Sequence, residues 1–239
     1  MYVLLCKKIE LKIYNKRLNK QNKITMKFMI FDTETTGLLP RQVKSLDSVP
    51  YIIQLSYIVY DSVTNNIASQ NNYIRIPNYI DIPKESENIH GISREIVDRQ
   101  GIEIEEALFY FNEFYKQCDY IIAHNFDFDE RMVNYECVRN NISPIIHKFD
   151  PRKTFYCTMK KGIDICKIEK ESKNGKKYFK WPKLEELHKQ LFSQNLCNLH
   201  DAYNDNLVCL RCFVKMKLNY DLMHKSDTFK NDFIKILRT

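Results

Sequence analysis

Glycine is scarce in this 239-residue chain, at 5 residues, and none falls in a G-x-x-x-x-G-K or G-x-G-x-x-G pattern. The usual glycine-built cradles for nucleotide phosphates are therefore absent. No apolar run approaches the ~20 residues of a membrane-spanning helix, so no membrane partner is expected. The opening Tyr2-Val3-Leu4-Leu5-Cys6 is too short for the apolar segment of a signal peptide and precedes the basic residues. The 8 cysteines include one C-x-x-C, Cys209 to Cys212, with no second such pair and no nearby pair of histidines. That spacing excludes a zinc ribbon, and the cysteines read as reduced thiols in an intracellular compartment, cytoplasmic or nuclear.

Aromatic residues make up 13% of the chain, enough for a packed core, and the length suits one decorated domain. The net charge of +7 is unevenly spread. Residues 1–25 hold seven Lys and Arg against Glu10 alone, so nearly all of the excess sits there. This stretch reads as a basic extension outside the core, with Met26 as an alternative start. A second basic concentration, at 160–180, sets eight Lys against Asp164, Glu169 and Glu171. Clusters of this kind suit a polyanionic partner.

The hydrophobic pattern predicts a buried strand at Phe28–Phe31, a second at Tyr51–Tyr60 and a third at about 68–76, joined as an antiparallel meander. Ile104, Ala107, Leu108 and Phe111 then follow the stripe of an amphipathic helix. A short strand at Tyr120–Ala123, a helix over about 126–140 and an extended piece at Thr154–Cys157 come next. Asn174-Gly175 marks a lysine-rich hairpin inserted at about 164–180, with arms Ile165–Lys170 and Lys176–Lys180. Pro182 opens a helix carrying Leu184, Leu187 and Leu191. The last clear helix runs from about 201 to 217, and 221–239 is expected as a short helix or a tail. The order implies an α/β fold, a mixed sheet with helices on its faces.

Asp32 and Glu34 lie two apart on the first strand and so share one face. Two adjacent carboxylates repel, and holding both ionised needs a cation. Further acids occur where a buried strand passes into a helix, Asp127 and Asp129, at the kind of strand end where open α/β sheets place their sites. Asp205 opens the last helix on the same stripe as Val208, Cys209 and Cys212, which carries it inward; the two cysteines are then core thiols. Ile89-His90-Gly91-Ile92-Ser93 reads as a polar turn before a helix.

Taken together, F-D-T-E-T-T-G, I-H-G-I-S, A-H-N-x-x-F-D and H-x-x-x-x-D, in that order across residues 27 to about 216, resemble the DEDDh group of DnaQ-like 3′–5′ exonucleases. The resemblance implies a ribonuclease H-like five-stranded mixed sheet flanked by helices. It implies Asp32, Glu34, Asp129 and Asp205 as ligands of two divalent cations, Mg²⁺ or Mn²⁺, choosing Asp129 over Asp127 by register. His200 would be the general base, a role that suits an imidazole at neutral pH. Thr35 and Leu38, in the turn after the first motif, become candidates for contact with the terminal nucleotide. Asp201 occupies the position where a related group carries a catalytic Tyr, so the His subgroup fits.

The activity so implied is release of nucleoside 5′-monophosphates from the 3′ end of single-stranded DNA or RNA, with DNA favoured. The expected partners are those 3′ ends, and a proofreading role would be exercised in trans on a separate polymerase. The competing reading is a nucleic-acid-binding module of the same fold that does not cut; a complete set of five catalytic residues speaks against it. Lys173, Lys176, Lys177 and Lys180 of the hairpin are expected to hold the substrate backbone.

Overall fold

The computed structural model describes residues 26–237. The basic extension expected at 1–25 lies outside the described residues. Three strands, β1 (Lys27–Thr35), β2 (Ile52–Asp61) and β3 (Ile67–Tyr73), form the antiparallel meander. Helices α1 (Lys84–His90), α2 (Arg94–Gln100) and α3 (Ile104–Gln117) lead into β4 (Tyr120–Ala123), followed by α4 (Phe126–Arg139) and β5 (Thr154–Cys157). Strand β4 runs parallel to both β1 and β5, which gives one five-stranded mixed sheet in the order β3-β2-β1-β4-β5. The chain continues through α5 (Thr158–Cys166), the hairpin β6 (Glu169–Glu171) and β7 (Lys177–Phe179), α6 (Leu184–Phe192), α7 (Ala202–Leu218) and α8 (Asp227–Phe233). These eight helices, among the described residues, flank the sheet in a ribonuclease H-like arrangement.

Alternation along β1 divides the interior. Met29 and Phe31 enter the core formed with α3 and α4. Phe28 and Ile30 enter the core formed with α7. Every β2 residue from Ile52 to Tyr60 is buried, because this strand is covered on both faces.

Helix α7 is buried almost all round from Asn206 to Val214, which one sheet face cannot accomplish alone. Its outer side is covered by the segment expected as a short helix or a tail, which holds α8. Leu222, Phe229, Phe233 and Ile236 are buried in the α7 core, and Leu237 bridges to Leu196. Arg211 of α7 fastens this cover: it donates to both oxygens of Asp221, at 2.9 and 2.7 Å, and lies over the rings of Phe192 and Phe233.

One expectation needs correction, and one helix was not expected. The first hairpin arm is shorter than Ile165–Lys170, because Ile165 and Cys166 complete helix α5, which ends at Lys167 in a left-handed conformation. Met159, Ile163 and Cys166 supply the helical spacing that reveals it. Helix α1 has no counterpart in the hydrophobic pattern, because none of its residues is buried and it carries no apolar stripe. Its marks are Pro83 before it, Glu85 and Glu87 in the first turn, and Gly91 at φ 73° after it.

Candidate active site

The site gathers at the carboxyl end of β1, where the meander meets the parallel strands. Asp32 and Glu34 project to the α7 side, as the alternation of β1 requires. Asp205, in the first turn of α7, meets them there. One carboxylate oxygen from each of Asp32, Glu34 and Asp205 lies within 4.8 Å of the other two.

Asp129 comes from the opposite side. It sits in the first turn of α4 and is locked to β1 through Thr33, whose side chain faces that way. Asp129 Oδ1 accepts the Thr33 backbone N–H at 3.2 Å and its hydroxyl at 2.8 Å. Asp129 Oδ2 is buried without a partner, as is Asp205 Oδ1. Asp127, two residues away, turns outward instead. Its carboxylate pairs with Lys148 at 2.9 Å and with Lys160, and those bonds lower its pKa.

The electrostatics follow from this crowding. Burial first, and then Asp129, Asp205 and Glu34, hold the Asp32 carboxyl well above the usual carboxylate range. Burial and the charges of Asp205 and Asp129 push Glu34 up to about 9. Burial raises Asp129 to about 7 against the opposing hydrogen bonds from Thr33. Asp205 is likewise raised to about 7 by burial, partly offset by the His200 N–H. None of the four has a Lys or Arg ion-pair partner among the described residues. Carboxylates buried in this way, without counter-charge and with unused oxygen lone pairs, suit hard divalent cations.

The entrance to α7 is anchored by residues that the motifs did not point out. Asp201 caps the helix by accepting the Asn204 N–H at 3.0 Å. Gln54, fully buried on β2, donates to Asp201 at 2.9 Å and to Asn71 at 3.0 Å, and accepts the Ala202 N–H at 3.1 Å. The available signal was an amide in the middle of an otherwise apolar buried strand. His200 precedes the cap in a left-handed conformation, φ 66°, with its N–H on Asp205 Oδ2 at 3.3 Å. Its side chain is exposed and lines a cavity of about 670 Å³ together with Asp32, Asp205 and Leu38.

A model of the family described as Exonuclease, RNase_T, matches residues 29–213. The chain belongs to this exonuclease family. It is a DnaQ-like nuclease with a ribonuclease H-like fold, and its acidic cluster accords with a metal-binding hydrolase. No curated protein matches the chain in sequence. Among solved structures it is similar to E. coli Exonuclease I in complex with a dT13 oligonucleotide, at TM-score 0.61 and 17% identity over 87% of this chain and 46% of that one. It is also similar to a moderately thermophilic Exonuclease I from Methylocaldum szegediense, at TM-score 0.59 and 16% identity, over 83% of this chain and 42% of that one. A zinc-bound E. coli Exonuclease I–ssDNA complex matches at TM-score 0.60 and 16% identity, over 81% and 41% of the two chains. The chain thus spans less than half the length of these structures.

The two candidates for nucleotide contact separate in the structure. Leu38 is 87% exposed and lines the same cavity as Asp32, His200 and Asp205. Thr35 is buried, and its hydroxyl donates to the Gly37 carbonyl at 2.6 Å, so it closes the turn that presents Leu38. Ile89 and His90, expected in a turn, instead complete α1, and His90 closes the turn after it: its Nδ1 accepts the Ile92 N–H at 3.0 Å, and burial lowers its pKa. Cys209 and Cys212 are buried free thiols. Among the described residues no helix is long and apolar enough to cross a membrane.

Proposed function

We propose that this chain is a two-metal 3′–5′ exonuclease that removes nucleoside 5′-monophosphates from the 3′ end of single-stranded nucleic acid, with DNA preferred. The observation that carries the reading is the convergence of Asp32, Glu34 and Asp205 within 4.8 Å, beside a cavity lined by Asp32, Asp205 and His200. Asp129, held on β1 from the other side, completes the set. The related structures described with dT13 and with ssDNA support a DNA strand as substrate.

Two Mg²⁺ or Mn²⁺ ions held by Asp32, Glu34, Asp129 and Asp205 would neutralise the cluster and stabilise the charge that builds on the scissile phosphate. The protein's own groups do the rest. His200 takes the proton of the attacking water, and its exposure lets the imidazole reach a solvent molecule above the cluster. Asp205 fixes the His200 backbone by accepting its N–H, so the base and the carboxylate are positioned together. Attack of water on phosphorus breaks the bond to the 3′ oxygen of the penultimate nucleotide. That oxygen leaves with a proton, and the terminal nucleotide departs as a 5′-monophosphate. Leu38, projecting beside the cluster, is the contact proposed for the terminal nucleoside.

Digestion of 5′-labelled single-stranded DNA with Mg²⁺ or Mn²⁺ tests this. The expected result is a shrinking ladder that retains the label, mononucleotide release, and no cutting of a circular strand. A matched RNA should be digested more slowly, and Asp32→Ala and Glu34→Ala should be inactive. Cutting of the circle, or no mononucleotide release, would overturn the assignment.

A further inference from the structure

We propose that the indole of Trp181 is a stacking platform for an unpaired base of the substrate strand in the catalytic cleft. This rests on the exonuclease reading and deepens it, because a face that accepts a base requires that base to be free of a complementary strand.

Trp181 is the chain's single tryptophan and is 59% exposed, yet it lines the same cavity as Asp32, His200 and Asp205. An exposed tryptophan carries little meaning when its backbone is loose. Here the backbone is held on both sides. Before it, the Lys180 N–H donates to the Ile168 carbonyl at 3.0 Å, and Lys180 Nζ donates to both oxygens of Glu186 at 2.6 and 2.7 Å. After it, Glu186 also accepts the Lys183 N–H at 2.7 Å.

The residue next to it is tied to the second motif. His124 Nε2 lies 3.1 Å from the Pro182 carbonyl, which can only accept, so that nitrogen carries the proton. Nδ1 is then the acceptor for the Thr158 hydroxyl at 3.0 Å. Pro182 packs so closely on α5 that a Cβ at Gly162 would come within 3.0 Å of its ring. His124 is thus a positioning residue. It fastens the Trp181 segment to the end of β4, where Asn125–Asp129 begins α4 and delivers its carboxylate to the cluster.

A segment pinned at every neighbouring point, with only a large aromatic ring left in the cleft, is a preorganised surface. Base stacking tolerates any sequence because each base offers a π-face, as an exonuclease that proceeds stepwise along a strand requires. Lys183 beside it is mostly exposed, and its 3.6 Å pair with Glu185 is weak enough to yield to a phosphate.

Because Trp181 is the only tryptophan, intrinsic fluorescence excited at the red edge of the absorption band reads this side chain alone. The full chain carrying Asp32→Asn, which should not cut, is titrated in Mg²⁺ with a short thymidine oligonucleotide and with an abasic deoxyribose-phosphate strand of equal length. Saturable quenching by the thymidine strand and not by the abasic one is expected. In the active protein, Trp181→Ala should raise KM about 5- to 150-fold with kcat little changed, and Trp181→Phe should restore most of the loss. Equal quenching by both strands, or an unchanged KM in Trp181→Ala, would overturn the proposal. If the unmodified protein releases no nucleotides, the exonuclease reading fails, while the comparison of the two strands still decides the role of Trp181.

Discussion

Asp205→Asn should make the metal-free protein more stable at alkaline pH while removing its response to Mg²⁺. Oxygens of Asp32, Glu34 and Asp205 lie within 4.8 Å of one another. At an effective dielectric of about 20, each ionised pair at that distance repels by about 3.5 kcal/mol. The cluster relieves this by keeping protons: burial, reinforced by Asp205 and Asp129, raises Glu34 to about 9, and burial, with smaller contributions from Asp201 and Glu185, raises Asp205 to about 7. A carboxyl whose folded pKa lies above its unfolded value contributes stability that is full below the unfolded pKa. That stability is lost as pH rises through the folded pKa. Without metal the protein therefore loses stability between about pH 4 and pH 7 through Asp129 and Asp205, and onward to about pH 9 through Glu34.

The Asn side chain keeps the shape of a protonated Asp and can still accept the His200 N–H. At about pH 5, roughly one unit above the unfolded pKa, the variant should lead the parent by only about 1.5 kcal/mol. At about pH 8.5 in EDTA, above the folded pKa of about 7, the lead should grow to roughly 4 kcal/mol, which raises Tm by about 8–16 °C for a chain of this size. Saturating Mg²⁺ should reverse the order, because the parent gains binding free energy and the variant lacks a ligand. Thermal melts in EDTA and in Mg²⁺ at the two pH values measure all four quantities. A variant less stable than the parent in EDTA at alkaline pH would refute the idea that burial and crowding of these carboxylates destabilise the metal-free fold.

Other consequences follow from particular contacts. Gln54→Ala removes both ties to the start of α7, so kcat should fall about tenfold or more while stability drops by about 1–3 kcal/mol; matched kinetics and melts separate the two effects. Asp221→Ala leaves the buried Arg211 guanidinium without its partner and should cost about 3–5 kcal/mol in urea unfolding, much of it recovered in Arg211→Met/Asp221→Leu. The hairpin lysines should divide by their existing partners: Lys177 pairs with Glu169 and Lys180 with Glu186, whereas Lys173 and Lys176 have no ion-pair partner among the described residues. Neutralising Lys173 and Lys176 should reduce the salt slope of oligonucleotide binding by about 1 for each phosphate they had neutralised, and an unchanged slope would make the hairpin a solvated decoration.

The pattern of the chain determined the sheet and the acids that meet at the carboxyl end of its central strand. The alternation of β1 placed Asp32 and Glu34 on one face, and the stripe of Asp205, Val208, Cys209 and Cys212 carried the fourth carboxylate inward, because both are short-range consequences of backbone period. The choice of Asp129 over Asp127 needed a motif register. The structure separates the two physically: Thr33 donates to Asp129 and ties it to β1, while Lys148 and Lys160 draw Asp127 outward. What tertiary structure alone decided is long-range. The segment after 220 became core because α7 is apolar on too many sides for one sheet face, a fact that emerges only once both faces are counted. Gln54 found Asp201 across 147 residues, and His124 found Pro182 across 58. No periodicity encodes such pairs, because they arise from how strands and helix ends are brought together. Trp181 owes its place in the cleft to that assembly.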